Sequence, residues 1–71
     1  MTTEELADYI INADMEMQII QGDRLAILEL LASSGLPPVS DHEVREAIEL
    51  ARRDPYIKCV AQKYMSHHDE H

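Results

Sequence analysis

Apolar residues recur through the first half of the chain with a helical period, and they do so twice. One stripe is Leu6, Ile10, Ala13, Met17, Ile20, Ile27 and Leu31, spaced alternately four and three apart, with Arg24 filling the one polar position. The other is Ile11, Met15, Ile19, Gly22, Ala26 and Leu30. At about 100° per residue the two stripes lie roughly 160° apart. The pattern predicts a long helix over residues 3–33 that is apolar on two sides. The rest of a short chain covers one side. The second stripe is therefore the candidate dimer or partner interface.

The ends of the helices are marked. Thr2-Thr3-Glu4-Glu5 fits a capping box, in which an N-cap hydroxyl and a return carboxylate each satisfy a free backbone N–H. Ser40-Asp41-His42-Glu43 repeats the pattern, with Val39 and Val44 placed as a hydrophobic staple. Ser34-Gly35-Leu36-Pro37-Pro38 stops the first helix: Gly35 suits the left-handed position after a helix, and two prolines prevent its resumption. Gly22 weakens the first helix by about 1 kcal/mol relative to Ala, yet the first stripe stays in phase across it, which favours one continuous helix. Asp54-Pro55 reads as a break and restart, Asp as N-cap and Pro in the first turn.

These signals predict an all-α antiparallel helical hairpin over residues 1–66, with a kinked or split second arm near 41–66 and a flexible His-rich tail at 67–71. Folding the second arm back along the first pairs Leu31 with Val44, Ile27 with Ile48, Met17 with Ile57, Ala13 with Ala61 and Ile10 with Tyr64, apolar against apolar. Arg24 then falls opposite Ala51, to pair with Asp54 or to reach solvent. Two copies joined through the second stripe would make a four-helix bundle.

Composition narrows the function. The chain has 71 residues and a net charge of −8. Residues 1–35 hold seven acids and one base, and residues 36–71 seven acids and five bases. Such a chain repels phosphate backbones, which argues against free nucleic acid as ligand and for a protein partner with a basic surface. A DNA-binding regulator using Arg45, Arg52, Arg53 and Lys58 is disfavoured for the same reason. The single cysteine, Cys59, excludes an internal disulfide, fits a reducing compartment and reads as a half-buried small hydrophobe. The absence of a signal segment or a long apolar run predicts a cytoplasmic protein and no membrane contact.

No phosphate loop, nucleophile elbow, paired helical His or zinc spacing is present, so neither catalysis nor a cofactor or metal is expected. The His-rich tail has metal-ligating residue types without the spacing of a site. The candidate polar face for a partner comprises Asp8, Asn12, Glu16 and Asp23 on the first helix, with Arg52, Arg53 and Tyr56 near the break. Together these readings imply a small acidic protein-binding regulator or inhibitor that occludes a basic functional surface, such as that of a transcription factor or a nucleic-acid enzyme. The alternative is a structural adaptor or assembly subunit within a larger complex. In plan (tiny, acidic, helical, without catalytic motif) the chain resembles the small accessory proteins of phages, such as anti-activators and anti-CRISPR inhibitors. That resemblance transfers no residue.

Overall fold

In the computed structural model, which describes the backbone of residues 1–69 and the side chains through Tyr64, the chain is all-helical. Five helices follow one another: α1 (Thr3–Asn12), α2 (Glu16–Gln21), α3 (Arg24–Ser33), α4 (Asp41–Arg52) and α5 (Pro55–Asp69). Both capping boxes form. Thr2 N–H donates to Glu5 Oε1 at 2.8 Å and Glu5 N–H to Thr2 Oγ1 at 3.1 Å. Ser40 and Glu43 exchange the same pair of bonds at 3.2 and 3.1 Å. The Thr2 backbone donor, followed by its hydroxyl, holds the Glu5 carboxyl below its ordinary pKa. That contribution to stability is present above the ordinary carboxylate value and is lost as pH falls through the lowered one. Pro55 opens α5, and Asp54 Oδ1 accepts the Tyr56 N–H at 2.9 Å, as a restart requires.

The continuous first helix is not formed. It is broken at two places, and the breaks explain the two stripes. At the first, Ala13 ends α1 and Asp14 takes a left-handed conformation (φ 60°), one that Asp tolerates better than most residues. The chain turns there, so Met15 and Ile19 swing into the same core as Ile10, 4% and 0% exposed. A straight helix would leave both side chains in water, forgoing about 1.5–3 kcal/mol each. Breaking the helix forfeits a few backbone bonds of about 0.5–1.5 kcal/mol apiece, several of which the turn replaces.

The second break is at Gly22, which adopts φ 69° and ends α2. Its neighbour Asp23 donates its N–H to Gln18 O at 2.9 Å and caps α3 by accepting the Ala26 N–H at 3.2 Å. A Cβ at Gly22 would also stand 3.1 Å from Arg52 Nη2. Gly35 is equally left-handed (φ 79°) but faces open space. Gly22→Ala therefore destabilises by about 1–2 kcal/mol for the left-handed backbone, plus the displacement of Arg52. Gly35→Ala costs the backbone part alone, so thermal melts should place Gly22→Ala lower.

The core is Leu6, Ala7, Ile10, Met15, Ile19, Ile27, Leu31, Val44, Ala47, Ile48, Ala51 and Ile57. Helix α4 lies at its centre. Its buried Val44, Ala47, Ile48 and Ala51 follow the three-and-four spacing of one helical face, and the alanines let neighbours approach closely. All four other helices pack on α4, and α1 does so most extensively. Thr3 Oγ1 donates to Glu46 Oε2 at 3.5 Å, while Ile11 at the far end of α1 shares a cleft with Asp54. Helices α1 and α4 thus run in the same direction.

This packing replaces the two-armed hairpin. Helix α1 lies along α4 rather than along α5, so the expected pairing of Ile10 with Tyr64 gives way. Arg24 does not pair with Asp54: on the exposed surface, its Nε donates to Asp41 Oδ1 at 2.6 Å, tying the first turn of α3 to the first turn of α4. Met17, expected in the core, is 39% exposed. Helix α5 continues to Asp69, past the expected end near residue 66. The side chains of the His-rich tail lie outside the described residues.

Candidate protein-docking groove

Two parallel helices leave a furrow between them. Here it runs along α1 and α4 and ends against the first turn of α5, as three confluent clefts. The first, about 530 Å³, is lined by Thr2, Thr3, Glu4, Glu46, Glu49, Leu50 and Arg53. The next shares Glu4, Leu50 and Arg53 and adds Ala7, Asp8, Ile11 and Asp54. The last, about 480 Å³, shares Asp8, Ile11 and Asp54 and adds Asn12, Asp14, Glu16 and Tyr56. Ala7, Ile11 and Leu50 form an apolar strip on the floor, buried or half-buried against the core. Seven carboxylates line the walls (Glu4, Asp8, Asp14, Glu16, Glu46, Glu49 and Asp54) and a single base, Arg53, stands among them.

The carboxylates are strung along the groove rather than gathered. Among the described residues no group of three or more His, Cys, Asp or Glu side chains converges closely enough to hold a metal ion. Such a string suits an extended, multiply charged cationic surface better than a point charge. At the α5 end, Tyr56 donates its hydroxyl to Glu16 Oε1 at 3.1 Å. That bond, reinforced by the Glu16 charge and more weakly by Asp14, raises the Tyr56 pKa above the ordinary tyrosine value.

Raising the pKa favours the neutral phenol in the fold. The contribution is therefore intact at neutral pH and is lost as pH climbs through the raised value. In a spectroscopic titration, the tyrosinate step that disappears in Tyr56→Phe should move down towards the ordinary value in Glu16→Gln. An unmoved step would show that the Glu16 bond does not form in solution.

The sequence-derived polar face is reunited in part. Asp8, Asn12, Glu16 and Tyr56 meet in the cleft at the α5 end, with Arg53 next to them. Asp23 and Arg52 have other work. Asp23 caps α3, and Arg52 donates from Nε to Ile19 O at 3.0 Å and from Nη2 to Ile20 O at 2.8 Å, closing carbonyls in the last turn of α2. Of the bases considered for DNA, Arg52 is thus committed to α2 and Arg53 is ringed by carboxylates.

The second apolar stripe does not form one surface. Its residues fall on three helices and the turns between them. Met15 and Ile19 are core, Gly22 is a helix end, and Ile11 lies half-buried in the groove floor. Ala26 and Leu30 remain on α3, half-buried and 42% exposed. The expectation that the chain cannot shield this stripe is overturned for Met15 and Ile19, because the break at Asp14 lets one core receive both stripes. Cys59, expected to be half-buried, is exposed.

Glu4, Asp14, Glu46, Glu49, Leu50 and Asp54 were not placed in the candidate site from sequence. Glu46, Glu49 and Arg53 share one side of α4 by their spacing, as Glu4, Asp8 and Ile11 do on α1. Nothing in either pattern says that these two sides face each other. No helix among the described residues is long and apolar enough to cross a membrane. Compared with known protein families, curated proteins and solved structures, the chain shows no match.

Proposed function

We propose that this chain is a small acidic protein-binding regulator or inhibitor, acting in the cytoplasm by covering a basic functional surface of a larger protein. The observation that carries the reading is the groove along α1 and α4, where seven carboxylates and one guanidinium flank an apolar strip. Charge draws a basic partner in and orients it, which raises the association rate. The apolar strip then supplies contact area that charge alone does not. The occupied basic surface is lost to its own ligand, so inhibition is steric and needs no chemistry. Helix α3 stays uncovered in this arrangement, and a paired form of the chain would carry two such grooves.

The test is affinity capture from the native host with wild-type chain and an Asp8→Lys/Glu49→Lys double variant side by side. A basic protein retained by the wild type and lost by the variant supports the reading. A specific partner held equally by both would place the functional surface elsewhere.

A further inference from the structure

Helix α3 is apolar nearly all round, which is the character of a helix covered on every side. Its inner side, Ile27 and Leu31, is sealed by α4 and α2. Leu25 lies about 140° from that buried edge, at about 100° per residue. It is 66% exposed, with the half-buried Leu28 about 60° to one side and Glu29 about 40° to the other, and Leu30, 42% exposed, further round beyond Glu29. No residue of α3 lines the acidic groove.

We propose that the outer side of α3 docks a second copy of this chain. The distribution of charge identifies the occupant. Residues 25–40 carry one charged side chain, Glu29, whereas the remaining 55 carry thirteen acids and six bases. Two copies, each of net charge −8, meeting symmetrically through other faces would oppose like charges, carboxylates at the groove or Lys58 and Lys63 on α5, which is costly. The α3 side is where they can touch without doing so. A basic partner, by contrast, is drawn to the groove and finds no counter-charges on α3 beyond Glu29.

A two-fold contact is self-complementary, each Leu25 meeting the other copy's α3. Crossing near Leu25 leaves the two Glu29 residues about 12 Å apart along the helix axes, at about 1.5 Å per residue, beyond a Debye length at physiological salt. Chains of this size commonly gain stability by such association. The resulting dimer carries two grooves, so a partner with two basic segments is held with avidity.

Sedimentation and light scattering on the full chain test this. The wild type should form a dimer that tightens as salt screens the mutual repulsion, the opposite of the response expected at the groove. Leu25→Glu and the uncharged Leu25→Gln should each weaken the dimer at least tenfold. Unchanged circular dichroism of Leu25→Gln shows that the fold is intact. A wild-type chain that stays monomeric to high micromolar concentration overturns the proposal. So does a dimer that both variants leave untouched. Neither result bears on the groove, whose charge-reversal variant leaves α3 intact.

Discussion

Ile19→Glu unfolds the chain. Ile19 is completely buried, on the short α2, among core residues from other helices. The substitution removes an apolar side chain worth about 1.5–3 kcal/mol on burial. It also places a carboxylate in an apolar core, while the neighbouring Arg52 is already engaged by the backbone carbonyls of Ile19 and Ile20, at a further cost of several kcal/mol. A domain of this size has a total stability at the low end of the usual range, about 5 kcal/mol, so the two losses together exceed what the fold holds in reserve. Far-UV circular dichroism should show helix content collapsing, with Met15→Glu behaving alike. Leu25→Glu, at a site 66% exposed, should keep its helices. If Met15 and Ile19 instead faced a partner on an unbroken helix, the same substitutions would yield a folded monomer.

Reversing charge in the groove has the second large effect, on binding rather than on folding. Asp8 and Glu49 are exposed, so replacing both with lysine changes stability by about 0.5 kcal/mol or less per site. Each exposed ion pair with a partner is worth about 0.2–1 kcal/mol, and reversal turns attraction into repulsion. Two reversals therefore cost about 1–3 kcal/mol in affinity for a basic ligand, roughly fivefold to 150-fold. Wild-type binding should weaken steeply with salt, and the double variant should show a flatter dependence. Glu29→Lys, on α3, should alter neither. Arg53→Glu should tighten binding, since Arg53 is the lone base among the groove's carboxylates.

Local signals in the sequence translated directly into structure. Thr2 with Glu5, Ser40 with Glu43, Gly35 and Asp54-Pro55 each act within one helical turn, so their chemistry fixes a helix end whatever surrounds it. On α4, Val44, Ile48 and Ala51 were placed towards the first helix, and the fold buries them together with Ala47. The break after Ala13 was not legible as a break. No glycine or proline marks it, and both stripes keep helical phase across it. Asp14 accepts a left-handed backbone because the core gains Met15 and Ile19, a tertiary reward invisible to a local reading. Gly22-Asp23 did carry its signal, a left-handed stop followed by a cap, but the periodicity of the first stripe outweighed it.

Once one helix became three, the long-range register could not survive. The hairpin pairing assumed a rigid first arm, and two turns in that arm let α1 fold beside α4 in the same direction. Part of the polar face read from sequence is nonetheless brought together in space. Asp8, Asn12, Glu16 and Tyr56 were grouped for their charge and for their nearness to the Asp54-Pro55 break, and the fold brings them into one cleft. The acids of α4 were missed because only the packing of α1 turns Glu46 and Glu49 into a wall of the groove.

The most direct test is a two-dimensional NMR titration of the isotopically labelled chain. The probe is a synthetic helical peptide with a leucine stripe flanked by arginines one turn apart. Saturable shifts at the amides of Asp8, Ile11, Leu50 and Asp54, reversed by added salt, are the predicted outcome. A silent groove, with shifts confined to α3 or absent throughout, would contradict it.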